Sequence, residues 1–164
     1  MISIICPCFN SSNTINGVID SILGQASTKI KFEMIFIDDG STDNTVRLLK
    51  SGIEKLNLNG IVSHMYLNSH KGPGTARNIG IKNSNYDYIA FIDSDDIWYK
   101  NKLEICEKII SKNPDHNIFV HDENYIRENN NNNLIINGNY KKPLHSSLFN
   151  SNCFSTSAVI LKKE

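Results

Sequence analysis

The chain has 164 residues, enough for one domain that buries a sheet between two layers of helices. Hydrophobic residues make up 40% and charged residues 21%, which excludes a wholly disordered chain. Lysine plus arginine and aspartate plus glutamate both number 17, so no surplus of positive charge is present to hold a polyanion, and nucleic acid is not expected as a partner.

The first apolar run, Ile2 to Phe9, is nearly continuous, as in a central strand covered on both faces. Pro7 has no backbone donor, so the ladder is expected to end or bulge there. Cys6 and Cys8 share one face of this run and read as small buried side chains. None of Cys6, Cys8, Cys106 and Cys153 has the spacing of a redox or zinc knuckle, and a reducing compartment is expected. The amino terminus shows no basic leader and no stretch near the ~20 apolar residues of a membrane span.

Ser11, Ser12 and Asn13 offer capping oxygens before Ile15, Val18, Ile19, Ile22 and Leu23, whose spacing is helical. Phe32 to Ile37 predicts a second strand, closed by the polar turn from Asp38 to Asp43, and Val46, Leu48, Leu49 and Ile53 mark the next helix. Ile61 to Leu67 is a weaker strand, followed by the turn His70-Lys71-Gly72-Pro73-Gly74 and a helix holding Ala76, Ile79, Gly80 and Ile81. Tyr88 to Ile92 predicts a fourth strand ending in Asp93-Ser94-Asp95-Asp96, and a long helix runs through Leu103, Cys106 and Ile110. Ile118 to Val120 and Ser157 to Leu161 read as two more strands, and the asparagine run Asn129 to Asn133 suits an exposed loop or hairpin tip. Strands alternating with amphipathic helices define an α/β class with a mostly parallel central sheet and helices on both faces.

Three polar clusters, Pro7 to Asn10, Asp38 to Gly40 and Asp93 to Asp96, fall at the carboxyl ends of predicted strands. In open α/β sheets ligands gather at that edge, where loops converge and helix amino termini point into the crevice. Asp93-Ser94-Asp95 places two carboxylates where they could hold Mg²⁺ or Mn²⁺ together with phosphate oxygens; the same acids could equally be a solvated turn that caps the next helix. Asp38 and Asp39 could accept from a nucleobase or ribose, or simply close a turn. Phe9 could stack on a base or belong to the core, and Arg77 could pair with phosphate or with a neighbouring acid. His64, His70, His116, His121 and His145 show no zinc spacing and read as structural or solvated. No dinucleotide fingerprint and no P-loop is present.

The ordered segments from Ile2 to Asn10, Ile35 to Asp43, Ala76 to Gly80 and Ala90 to Asp96 resemble the motifs of family 2 glycosyltransferases. The resemblance is strong over residues 1–112 and weak over Ser155 to Leu161. It implies a Rossmann-like GT-A fold that binds a nucleoside diphosphate sugar, commonly a UDP-sugar, with a divalent cation. It also implies a hexosyltransferase type of activity that inverts the anomeric centre by direct displacement. By the same resemblance Pro7, Phe9 and Asn10 line the base pocket, Asp39 binds the base with Asp38 beside it, and Arg77 lies near the phosphates. Asp93 with Ser94 faces the ribose, and Asp95, with Asp93, faces the metal.

One domain is expected over 1–164, with 1–112 the nucleotide-binding portion and 113–164 the start of an acceptor-side portion. The fold is expected to be incomplete at its carboxyl end, with the general base beyond Glu164 and little sugar transfer by this segment. The expected partners are a nucleotide-sugar donor and a saccharide or lipid-linked saccharide acceptor, in a cytoplasmic setting. Peripheral association with the inner face of the membrane would come through a region outside the chain, and bacterial surface polysaccharide assembly is the setting by analogy. A phospho-acceptor receiver domain would place paired acids after its first strand, where this chain has Pro7-Cys8-Phe9-Asn10. A nucleotidyltransferase would want a Gly-rich loop there. A non-catalytic nucleotide-binding module is the remaining alternative.

Overall fold

The computed structural model describes residues 1–26, 29–127, 130–136 and 154–163. A six-stranded sheet runs in the order β3-β2-β1-β4-β8-β5. Its parallel half comprises β1 (Ile2–Cys8), β2 (Phe32–Asp38), β3 (Val62–Leu67) and β4 (Tyr88–Phe91), joined through α1 (Ile15–Leu23), α2 (Thr45–Leu58) and α3 (Pro73–Lys82). Beyond α4 (Lys102–Lys112), β5 (Ile118–Val120) forms the sheet edge, and β8 (Val159–Lys162) lies antiparallel between β4 and β5. A separate hairpin pairs β6 (Glu123–Arg127) with β7 (Asn130–Ile136).

Side chains alternate across β1, which fixes what each face of the sheet must bury. Ile2, Ile4, Cys6 and Cys8 pack with Met34 and Phe36 against Ile15, Val18, Ile19 and Ile22 of α1, Leu49 and Leu56 of α2, and Leu103 of α4. Ile5, Ile35, Ile37, Ile89 and Phe91 face the other way and meet Ala76 and Ile79 of α3. Each fully buried isoleucine of this kind contributes about 2 kcal/mol by leaving water. Gly80 lets α3 approach closely: a Cβ there would sit 2.4 Å from Ile5 Cγ2 and 2.9 Å from Ile37 Cδ1.

Two expectations are corrected. β1 does not end at Pro7, which pairs in register with Ile37, and the strand runs on to Cys8. The Asp39 N–H donates to Cys8 O and the Ile92 N–H to Ile5 O, so by alternation Pro7 faces the β4 side, where β4 has already stopped at Phe91. No ladder partner is left there to miss the absent donor. The described part of the asparagine run lies at the turn end of the β6–β7 hairpin, one of its two expected places, and its loop alternative is corrected: Asn130 to Asn133 belong to β7, where pairing with β6 supplies the backbone bonds that composition alone does not suggest. Asn129 lies outside the described residues.

One buried polar group stands where periodicity predicted only core. Glu33 of β2 accepts from Ser3 Oγ at 2.5 Å, and from the backbone and side-chain amides of Asn85, both at 2.7 Å. These bonds satisfy a carboxylate that is almost fully buried, and they tie the turn before β4 to the amino end of the sheet.

Candidate functional site

A cleft of about 400 Å³ opens at the carboxyl edge of the parallel half of the sheet. That is within the usual range for a small-molecule site. β1 and the residue after it contribute Pro7, Cys8 and Phe9, the residue just past β2 is Asp39, and the segment entering α3 contributes His70, Gly72 and Pro73. Arg77 projects from α3, and Asp93, Ser94 and Asp95 close the far wall. A second cavity of about 310 Å³, between α4 and the β5–β8 edge, is lined mainly by apolar side chains and lacks a carboxylate.

Asp39 is 3% exposed and its carboxylate is densely used. Oδ1 accepts from Asn68 Nδ2 at 2.6 Å and from the Lys71 N–H at 2.9 Å, while Oδ2 accepts from the Gly72 N–H at 2.7 Å. Burial opposes the charge, but these donors outweigh it and hold the carboxyl below the usual carboxylate range. Gly72 sits at φ +87° as α3 begins, a conformation that favours glycine, and its N–H can therefore turn toward Asp39. Asp39 thus anchors the β3–α3 loop while also lining the cleft.

Phe9, 44% exposed, lies against the His70 ring with centroids 4.2 Å apart and planes tilted by 30°. The pair forms a flat aromatic wall at the end of the cleft that also holds Asp39. Arg77 Nη2 donates to Asp93 Oδ1 at 2.5 Å, and Arg77 Nε is buried without an acceptor among the described residues. Ser94 Oγ and Ser11 Oγ share a hydrogen bond at 2.7 Å, and the Asp93 N–H donates to Ser157 Oγ at 2.9 Å. The acidic segment is therefore held from the loop after β1 on one side and from the turn before β8 on the other. Asp95 is exposed.

Two residues expected at the base pocket lie elsewhere. Asn10 Oδ1 accepts from the N–H and hydroxyl of Thr42, at 2.9 and 3.3 Å, and its own N–H donates to Ser41 Oγ. It staples the loop after β1 to the loop after β2 and is not among the cleft residues. Asp38 is buried and is not among the cleft residues, with Oδ2 accepting from the Ser41 N–H at 3.1 Å and Oδ1 unpaired among the described residues. His70 and Ser157, by contrast, were not read as site residues. His70 had one available signal: it stands just past the end of β3, beside β2, where the loops of a parallel sheet converge.

The fold is that of the GT-A glycosyltransferases. The family model described as Glycosyl transferase family 2 matches residues 3–164, and the chain belongs to that family. An uncharacterized glycosyltransferase of Rickettsia conorii is 40% identical over 153 residues, which cover 93% of this chain and 23% of that protein. The Escherichia coli protein WfgD, named as a UDP-Glc:α-D-GlcNAc-diphosphoundecaprenol β-1,3-glucosyltransferase, is 38% identical over 114 residues, 69% of this chain and 42% of its own length. Among solved structures, Staphylococcus aureus TarS 1–349 in complex with UDP-GlcNAc superimposes with a TM-score of 0.77 at 22% identity, over 99% of this chain and 45% of that one. The chain thus spans less than half the length of each of these three proteins. No helix among the described residues is long and apolar enough to cross a membrane.

Proposed function

We propose that this chain supplies the donor-binding half of an inverting glycosyltransferase that takes a sugar from a nucleoside diphosphate, UDP first, to a saccharide hydroxyl in cell-surface polysaccharide assembly. The observation that carries this is the meeting of an aromatic wall, an anchored carboxylate, a part-buried arginine paired with Asp93, and the exposed Asp95 in one cleft. The related WfgD and TarS support the UDP-sugar and the saccharide acceptor.

In this reading the base lies against Phe9 and His70, with Asp39 beside it, and the diphosphate runs toward Arg77 and the acidic segment. The residues present fit a hard divalent cation, Mn²⁺ or Mg²⁺. Asp95 presents an exposed carboxylate, while Asp93 keeps one oxygen on Arg77. No group of three His, Cys, Asp or Glu among the described residues could hold a metal by itself. One or two carboxylates with substrate phosphates completing the shell is the habit of Mg²⁺. When bound, the cation supplies charge neutralisation for the departing diphosphate. Arg77 adds a second positive group there, and its pairing with Asp93 fixes its direction before substrate arrives. Direct displacement also needs a base within hydrogen-bond reach of the acceptor hydroxyl. No described residue is assigned that role.

Calorimetric titration with UDP, GDP and dTDP, each with and without Mn²⁺, tests the reading. UDP binding that strengthens with Mn²⁺ is the expected outcome. A folded sample that binds none of the three, with or without the metal, would refute the donor site.

A further inference from the structure

Between the acidic segment and α4 the chain alternates inside and outside. Asp96 is half-buried and Trp98 is 7% exposed, while Ile97 and Tyr99 are 72% and 66% exposed. Two large side chains, one aromatic, are therefore turned outward next to the cleft. Tyr99 is nevertheless held firmly. Its carbonyl accepts from Gln25 Nε2 and from the Lys102 N–H, both at 2.9 Å, and its hydroxyl accepts from Asn124 Nδ2 at 2.6 Å. Gln25 is itself buried at the end of α1 and accepts from the Leu103 N–H. Backbone and ring tip are both tied, yet no described aromatic side chain packs on the ring.

We propose that the Tyr99 ring, flanked by Ile97 and by the amide of Asn124, is a stacking platform for a sugar ring of the acceptor. The inference rests on the donor site proposed above. A pyranose has an apolar C–H face and a rim of hydroxyls, which matches an exposed aromatic face with an amide at its edge. A ring already fixed loses little freedom on binding. The position suits the chemistry: Tyr99 lies four steps along the chain from Asp95, a span of at most about 14 Å. A saccharide seated on Tyr99 therefore ends near a donor diphosphate held at Asp95. The charges around it are mixed: Asp93 pairs with Arg77, and Lys102 acts electrostatically on both Asp96 and Glu123, so the patch has acid and base together and suits a neutral, hydroxyl-rich partner.

The test is a glycan array of bacterial surface saccharides probed with the full chain in the presence of UDP and Mn²⁺, with UDP affinity measured on the same samples. Tyr99→Ala is expected to weaken binding to the glycans held by the wild type about tenfold, as loss of an aromatic anchor does, with UDP affinity unchanged. Tyr99→Trp, which restores a ring, is expected to recover most of it. The inference is overturned if Tyr99→Ala retains those glycans as well as the wild type, or if a wild type that binds UDP retains no glycan. It is also overturned if Tyr99→Ala and Ile97→Ser lose binding to phosphatidylglycerol vesicles while glycan binding stands, which would make the patch a membrane contact. A wild type that binds no nucleotide removes the donor reading, and the acceptor inference with it.

Discussion

Gly72 donates its N–H to Asp39 Oδ2 at 2.7 Å, and this bond fastens the start of α3 to the residue just past β2. The Lys71 N–H and the Asn68 amide share the other carboxylate oxygen. Replacing Asp39 by alanine leaves donors without their charged acceptor and should cost about 2–3 kcal/mol of stability. Chemical denaturation checks the magnitude. The same substitution should weaken UDP binding, because the loop carrying His70 loses its anchor.

Acid should undo this tether selectively. The folded carboxyl of Asp39 is held below its ordinary value, so its contribution is complete above the unfolded value near pH 4 and fades as pH falls further. Protection of the Gly72 amide against hydrogen exchange, referred to the intrinsic rate at each pH, should fall between about pH 4 and the onset of global unfolding, and in Asp39→Asn that fall should be absent.

Arg77 and Asp93 form the second tether of the cleft, with side chains 20% and 36% exposed. Arg77→Met should reduce UDP-sugar affinity about tenfold or more, the size of a lost charge-assisted contact. Arg77→Lys should not restore it, since an ammonium cannot serve Asp93 and a phosphate from two nitrogens at once. Titration calorimetry in Mn²⁺ separates the variants.

Gly80 and Gly74 lie on the same helix and should respond oppositely to alanine. At Gly80 the new Cβ meets Ile5 at 2.4 Å, and the overpacking should cost about 1–3 kcal/mol. At Gly74 nothing lies within 4 Å, so the substitution should be neutral or stabilising by up to about 1 kcal/mol. Thermal unfolding of the two variants side by side is sufficient.

Lys102 Nζ lies against His121 Nε2 and above the Trp98 ring, 4.5 Å from its centroid. Burial pushes the Lys102 ammonium down to about 8 and lowers His121 as well, the nearby ammonium adding to the effect on the histidine. Both groups resist protonation in the folded chain more than in the unfolded one. Folding stability should therefore climb with pH, through His121 below about pH 6.5 and through Lys102 between pH 8 and about 10.4. In Lys102→Met the rise above pH 8 should flatten, as thermal unfolding across that interval would reveal.

Much of this architecture was legible because the parallel half obeys local rules. Ile2 to Cys8 and Phe32 to Asp38 carry near-continuous apolar runs, and their helices show one clear stripe each. The cleft could be anticipated from the acids at strand ends, since topology brings those ends together. Side-chain direction was not legible. Asn10 and Asp38 sit in the right segments, but one braces a loop and the other is buried without lining the cleft, choices made by partners such as Ser41 and Thr42 that only the fold supplies. His70 carried only its position just past β3 as a signal, and its ring becomes a wall only when Phe9 arrives beside it. The buried Glu33 interrupts the apolar run of β2, and its partners Ser3 and Asn85 are too distant in sequence to be read beforehand.

The placement of β8 bears on the order in which the molecule assembles. β1 through β4 join through short crossovers, each closing before the next begins. β8 must instead insert against β4 after α4, β5 and the β6–β7 hairpin have all been traversed, which is the costliest loop closure in the sheet. During synthesis the parallel strands can pair while the ribosome is still extending the chain. Ser157, which secures the backbone at Asp93, comes with the last strand. The acidic wall is thus the final part of the cleft to gain its full set of hydrogen bonds, after the aromatic wall of Phe9 and His70 is in place.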